Sequence, residues 1–189
     1  SKLRRGIAPG TGMLRNEHLK VLTEGPALTL IQRFAVEVIT GSVPSHLRPI
    51  LYGDPGIALP KNQGGVRPIC VGNAIVKLAL KHIHSVIPRK QLVGPAQWGY
   101  AVANGPQRCA ALLQQALDEG KCIIKTDVTN AFNSVDRKKL AAMLFDIPSA
   151  KPVYKYFIDR YLQPTEVHVF DSHGHYIDNI KSNVGLCQG

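Results

Sequence analysis

Long apolar runs, closely spaced cysteines and acidic residues are all scarce in this sequence. No stretch approaches the roughly 20 apolar residues that a membrane-spanning helix requires, and the first residues lack the apolar core of a secretory signal. The four cysteines are far apart and show no Cys-x-x-Cys spacing, which argues against a disulfide-dense frame. We therefore expect no membrane partner and a reducing, intracellular location.

The shortage of acidic residues is confined to the first half of the chain. Residues 1–95 hold 13 Lys and Arg against 4 Asp and Glu, whereas residues 96–189 hold 10 against 9. Such asymmetry favours one lobe that faces a polyanion, because neutralised phosphates release condensed counterions. The alternative is a basic surface that serves only solubility.

The chain has 189 residues, of which 44% are hydrophobic, enough to bury the core of one domain or two small lobes. It carries no internal repeat. It lacks an initiator Met and stops in mid-pattern at Gly189, so we expect it to be a piece of a longer product.

Apolar residues at helical spacing, bounded by proline and glycine, predict five helices. They are expected at residues 26–40, at 74–87, between Pro106 and Gly120, between a Ser134 cap and Pro148, and at 152–162.

Alternating patterns predict five strands. Residues 57–61 and 66–71 form one hairpin, and residues 165–170 and 175–180 form another. Residues 122–128 are expected to form a single strand whose polar face ends on Asp127. A carboxylate at a strand end, followed directly by a turn, suits an oxygen ligand for a divalent cation. Its alternative role is to cap that turn.

Five segments, in the same order along the chain, resemble motifs of reverse transcriptases. They are GMLRNEHLK at 12–20, LPKNQGGVRPI at 59–69 followed by Lys77, QWGY at 97–100 with Pro106, IKTDVTNAFNSVDR at 124–137, and GLCQG at 185–189. The first of them resembles the additional N-terminal segment found in reverse transcriptases of retrotransposons without long terminal repeats.

The resemblance implies a site residue by residue. Asp127 would be the catalytic ligand of two magnesium ions (Mg2+), and the carbonyl of Val128 would be a further metal ligand. Backbone amides near Asn130 and Ala131 would bind the nucleotide phosphates. The ring of Phe132 would lie under the incoming sugar and exclude a 2′-hydroxyl.

Three further nucleotide-binding residues follow from the same resemblance. Lys61 and Arg67, on opposite arms of the hairpin, would bind the triphosphate, although a solvated pair of cations is the simpler alternative. Gln188 would contact the nascent base pair.

The implied fold is α+β, with polymerase fingers at residues 1–95 and a partial palm at 96–189, its helices packed on a small antiparallel sheet. The implied partners are an RNA template, a DNA primer and deoxynucleoside triphosphates. The family's later Asp-Asp motif is missing, so we expect the 189 residues alone to be inactive. The palm sheet should keep an open edge that allows a homodimer. The resemblance to enzymes of retrotransposons adds the nucleus as a second expected location.

Two other functions remain open. One is a non-catalytic module that resembles reverse transcriptases and binds RNA or acts as a scaffold, for which Asp127 and Phe132 would be unnecessary. The other is the palm of an RNA-copying RNA polymerase, which would have to accept the 2′-hydroxyl that Phe132 is expected to exclude.

Overall fold

A computed structural model of the chain describes residues 4–62, 64–87, 94–100, 102–171 and 173–187. Within these residues the fold is α+β, with seven α-helices and one small sheet of four strands. None of the helices in these ranges has the length and apolarity to cross a membrane.

The helices begin and end near the predicted boundaries. They span Asn16–Thr23 (α1), Leu28–Thr40 (α2), Arg48–Tyr52 (α3), Ala74–Val86 (α4), Gly105–Asp118 (α5), Arg137–Asp146 (α6) and Lys151–Tyr161 (α7). All five predicted helices are confirmed, whereas α1 and the five-residue α3 were not predicted. Short 3-10 turns at Ser45–Leu47 and Pro148–Ala150 lead into α3 and α7.

The predicted N-cap of α6 is wrong. The side chain of Asp136 accepts hydrogen bonds from the amides of Lys138 and Lys139, at 2.9 and 3.1 Å, and is therefore the cap. The hydroxyl of Ser134 instead donates to the carbonyl of Asn130 at 2.9 Å, within the turn that precedes the helix. Asp136 thus lies directly before the first turn of the helix. Its negative charge there also interacts favourably with the positive end of the helix dipole.

The four strands form both predicted hairpins, but the sheet is mixed and not purely antiparallel. They are Asp54–Pro60 (β1), Val66–Cys70 (β2), Glu166–Phe170 (β3) and Tyr176–Lys181 (β4), in the order β2-β1-β3-β4. Both hairpin pairs are antiparallel, and β1 pairs in parallel with β3 through Asp54↔Val167, Pro55↔His168 and Gly56↔Val169. A Cβ at Gly56 would lie 2.6 Å from the Val167 side chain. Glycine at position 56 therefore allows β3 to pair closely with β1.

The predicted strand at residues 122–128 is wrong. Residues 121–128 have no regular secondary structure and are all exposed, with Ile124 at 87%. A strand requires a hydrogen-bonded neighbour, and none of β1 to β4 borders this segment in the described chain. The preceding helix α5 is also poorly covered. Leu112 and Leu117, which belong to its predicted apolar stripe, are each about half exposed.

The core lies between three helices. Val38 of α2, Ala79 and Ile83 of α4, and Tyr156 of α7 are buried together with Tyr52. A smaller buried cluster places α1 against α2 and α4 through Leu19, Ile31 and Ala74. These contacts hold α7 and the start of β1 together, which positions the polar groups described next.

Candidate functional site

Asp127 lies at the surface, at the start of a compact turn. Residues 129–134 form this turn, in which Asn130 adopts a left-handed backbone with φ of 52°. The carbonyl of Asn130 accepts hydrogen bonds from the amides of Asn133 and Ser134, at 2.9 and 3.1 Å. The amides of Asn130 and Ala131 donate to no protein acceptor in the described chain, so both are available to a ligand.

The Asp127 carboxylate is exposed and takes part in no hydrogen bond or ion pair with other described residues. Carboxylate and carbonyl oxygens are the ligands that Mg2+ prefers, so Asp127 and the carbonyl of Val128 suit such an ion chemically. Asp127 belongs to no group of three or more clustered ligand side chains among the described residues. These residues therefore offer one carboxylate, which is fewer than a complete two-metal site needs.

The turn is docked onto the loop that leads to Gln188. The amide of Leu186 donates to the carbonyl of Phe132 at 2.7 Å, and the amide of Gly185 donates to the carbonyl of Val135 at 3.0 Å. The ring of Phe132 is half exposed. Gln188 itself lies outside the described residues. Two of the predicted motif segments are thus brought together, although they are far apart in sequence.

Gly185 makes this docking sterically feasible. Its φ is 72°, and a Cβ at this position would lie 2.6 Å from the backbone of Asn133. Only glycine combines that backbone angle with so close an approach.

Arg137 fixes the same loop from the first turn of α6. Its guanidinium is buried and donates to the carbonyl of Gly185 at 2.7 Å, to the Ser182 hydroxyl at 2.7 Å, and to the Ser182 and Val184 carbonyls. Burial lowers the pKa of the Arg137 guanidinium. Sequence reasoning missed this residue. The available signal is an arginine in the first turn of a helix, where the dipole disfavours a cation unless other groups hold it.

The hairpin residues Lys61 and Arg67 line a surface concavity of about 680 Å³ at the tip of β1 and β2. Both are exposed, and the Lys61 amide closes the loop by donating to the Gly65 carbonyl at 3.0 Å. Arg67 pairs with Leu59 in the strand register, so the two cations lie on opposite arms, as predicted. No hydrogen bond or ion pair in the described ranges connects this hairpin with the Asp127 turn.

A buried polar cluster, unforeseen from the sequence, lies where the two hairpins meet. The Arg160 guanidinium contacts Asp54 Oδ2 at 2.5 Å, donates to the Tyr52 carbonyl, and lies 3.4 Å from Cys187 Sγ. Cys70 Sγ, Cys187 Sγ and an Asp54 oxygen are all within 4.8 Å of one another. Charged residues on the buried side of α7 are the signal that could have indicated this cluster, because buried charges are nearly always paired.

Burial determines how these charged groups titrate. Desolvation raises the pKa of the Asp54 carboxyl, although the Arg160 guanidinium offsets part of that effect. Burial acts to lower the pKa of the Arg160 guanidinium, but the Asp54 carboxylate together with Tyr156, Cys187 and Tyr161 exceeds that effect, so the pKa is raised. Both groups therefore bind their protons more strongly than they would in water.

A scan against protein-family models gives no match for this chain, and a search of curated proteins also finds none.

Proposed function

We propose that this chain is the fingers and partial palm of an RNA-directed DNA polymerase. The observation that carries the proposal is the docking of the turn at residues 129–134, together with Val135 directly after it, onto the loop that leads to Gln188. The Phe132 and Val135 carbonyls accept the hydrogen bonds that join the two segments. Two segments chosen for their resemblance to polymerase motifs are thereby neighbours in space. The basic first half of the chain adds a surface suited to nucleic acid.

In this proposal the exposed turn binds the nucleotide. The Asp127 carboxylate and the Val128 carbonyl would hold Mg2+, which when bound supplies charge stabilisation for phosphoryl transfer. The amides of Asn130 and Ala131 donate to the phosphates, and Phe132 presents a half-exposed ring to the sugar. Lys61 and Arg67 add positive charge from the hairpin, and Gln188 contacts the base pair. The substrates are deoxynucleoside triphosphates on an RNA template and DNA primer.

Primer extension with Asp127→Asn tests the assignment of the metal ligand. The assay uses a protein in which these 189 residues are continued by an Asp-Asp strand motif, because the proposed site needs all three carboxylates. Loss of one ligand should reduce the rate by about a thousandfold, which corresponds to about 4 kcal/mol of transition-state stabilisation.

The matched control is Asp136→Asn, which changes an exposed carboxylate a short distance along the same segment. It should leave extension nearly unchanged. Equal extension rates for Asp127→Asn and the unmodified protein would remove Asp127 from the site.

Sugar selection tests the role of Phe132. Replacing Phe132 with Val should raise the use of ribonucleotides relative to deoxynucleotides, because the smaller side chain leaves room for a 2′-hydroxyl. The assay is competitive incorporation on one primer-template. Comparable use of both sugars by the unmodified protein would favour an RNA-copying RNA polymerase.

Binding without catalysis is the remaining alternative. If the continued protein binds an RNA–DNA hybrid with a strong salt dependence but never extends the primer, a non-catalytic RNA-binding or scaffold module is the better description.

Self-association through the sheet edge is part of the proposal. All six residues of β4, at one edge of the sheet, are exposed, and such an edge offers unpaired backbone groups to a second copy. Sedimentation over a range of concentrations would detect a homodimer. A Lys181→Pro variant, which removes a backbone donor on the side of β4 that faces away from β3, should weaken the dimer.

A further inference from the structure

The fold brings two cysteines from distant parts of the chain into one cluster. Cys70 is the last residue of β2, and Cys187 lies in the loop that follows β4. Their Sγ atoms lie within 4.8 Å of each other, and both residues are partly exposed. The other two cysteines, Cys109 and Cys122, belong to no such cluster in the described residues.

The surroundings of Cys187 favour its thiolate. A hydrogen bond from the Cys70 thiol and the charge of Arg160 lower the pKa of Cys187, although burial and the neighbouring Asp54 carboxylate act in the opposite direction. The same hydrogen bond, together with burial, raises the pKa of the Cys70 thiol. The Arg160 guanidinium lies 3.4 Å from Cys187 Sγ and favours its thiolate, which is the nucleophilic form. Cys187 is therefore the attacking sulfur, and Cys70 is the resolving cysteine.

Two thiols and a carboxylate also resemble part of a metal site, but the charge balance opposes a metal ion. The Arg160 guanidinium already neutralises Asp54 at 2.5 Å and lies beside Cys187. A dication bound at this cluster would face that fixed positive charge at close range in a buried setting, where such repulsion is poorly screened.

We propose that Cys70 and Cys187 form a redox-sensitive pair, which oxidised glutathione converts into an intramolecular disulfide. The inference goes beyond the proposed polymerase function and does not depend on it. In the reducing compartment expected from the sequence, such a bond would form transiently, as redox-sensing disulfides do.

The reaction proceeds by two exchanges. The Cys187 thiolate attacks one sulfur of oxidised glutathione, forming a mixed disulfide and releasing one glutathione thiolate. Cys70 then loses its proton and attacks the Cys187 sulfur, which releases the second glutathione. The two protein thiols lose two electrons and two protons in all, and one oxidised glutathione becomes two reduced molecules.

The disulfide would join two parts of the proposed site. Cys70 ends the strand that carries Arg67, and Cys187 immediately precedes Gln188. A covalent bond between them would fix the hairpin to the loop and restrict any movement of one relative to the other.

The test is oxidation of the 189-residue chain by oxidised glutathione under native conditions. Remaining thiols are blocked with N-ethylmaleimide after an acid quench, and the cross-linked peptides are identified by mass spectrometry. The expected main product links Cys70 to Cys187, and dithiothreitol should reverse it. The same reaction in urea should lose this preference, because four unfolded cysteines can pair in several ways.

Cys70→Ser separates the two steps. Without its partner, Cys187 should stop at the mixed disulfide with glutathione, and it should react faster than the exposed Cys122. The native-against-urea comparison needs no variant, so a substitution that fails to fold does not weaken the test.

Three outcomes would overturn the proposal. They are equal yields of the Cys70–Cys187 link in native and unfolded chain, slower reaction of Cys187 than of Cys122 in the Cys70→Ser variant, and protection of both thiols by a stoichiometric metal ion that a chelator removes.

Discussion

Replacing Arg160 with Met should destabilise the fold by about 3–5 kcal/mol, the usual cost of removing one partner from a buried ion pair. The side chains of Arg160 and Asp54 are each only 5% exposed, and their N···O distance is 2.5 Å. Methionine keeps much of the side-chain volume but leaves the Asp54 carboxylate without a counter-charge. The Tyr52 carbonyl loses a donor as well.

Urea denaturation followed by circular dichroism measures the effect. For a chain of this size, with an m value of about 2 kcal/mol/M, the midpoint should fall by about 2 M. The matched control is Lys121→Met. Lys121 forms an ion pair with Glu119 at the same distance of 2.5 Å, but the two side chains are 66% and 43% exposed. This control should not shift the midpoint measurably, because exposed pairs contribute little.

The stability of the variant should also depend on pH. Burial already raises the pKa of Asp54 above its ordinary value of 3.8, and loss of the Arg160 cation removes the opposing effect. A carboxyl with a raised folded pKa stabilises the fold while it is protonated, and this contribution disappears as pH rises through the folded pKa. The deficit of Arg160→Met relative to the unmodified chain should therefore grow as pH rises above about 4.

A double variant, Arg160→Met with Asp54→Asn, removes both charges and should recover most of the lost stability, because a neutral pair needs no counter-ion. The reasoning is refuted if Arg160→Met and Lys121→Met unfold at the same urea concentration. It is also refuted if the double variant is no more stable than the single one.

Three other substitutions test the loop and its support. Arg137→Lys should cost about 2–4 kcal/mol through lost hydrogen bonds, with faster amide exchange at Gly185 in hydrogen-exchange mass spectrometry. Gly185→Ala should cost about 1–3 kcal/mol in urea unfolding, because its Cβ would meet the Asn133 backbone at 2.6 Å. Asp136→Ala should lower the urea midpoint at neutral pH by removing the cap of α6. Backbone hydrogen bonds lower the pKa of Asp136, so the difference should vanish as pH falls through the folded pKa, below 3.8.

The helices and hairpins could be predicted because their signals are local. The apolar spacing of α4 and the proline after it depend on residues within a few turns of one another. The two hairpins likewise follow from alternation on either side of a short polar loop. Such patterns determine the type of each element, and α1 and α3 were missed because they are short.

The parallel pairing of β1 with β3 and the buried polar cluster could not be predicted, because both depend on which distant segments of the chain come into contact. Nothing near Asp54 in the sequence indicates that Arg160 will neutralise it. Residues 122–128 show the opposite case, in which a local pattern is present but the distant partner is missing from the described chain. Their alternation is typical of a strand, but the described chain supplies no neighbouring strand, and the pattern alone cannot form one. Of the candidate site, the hairpin cations and the Asp127 turn were foreseen, whereas Arg137, which fixes the loop, was not.

The parallel pairing of β1 with β3 has a consequence for synthesis on the ribosome. Asp54 of β1 pairs with Val167 of β3. The side of β1 that faces β3 therefore has no partner until the hairpin of β3 and β4 has emerged from the exit tunnel. Contacts between such distant residues form slowly, because a long loop must close before they are gained. The nascent chain therefore passes through an interval in which the first hairpin is made but its sheet is incomplete, and chaperone binding during translation should be strongest in that interval.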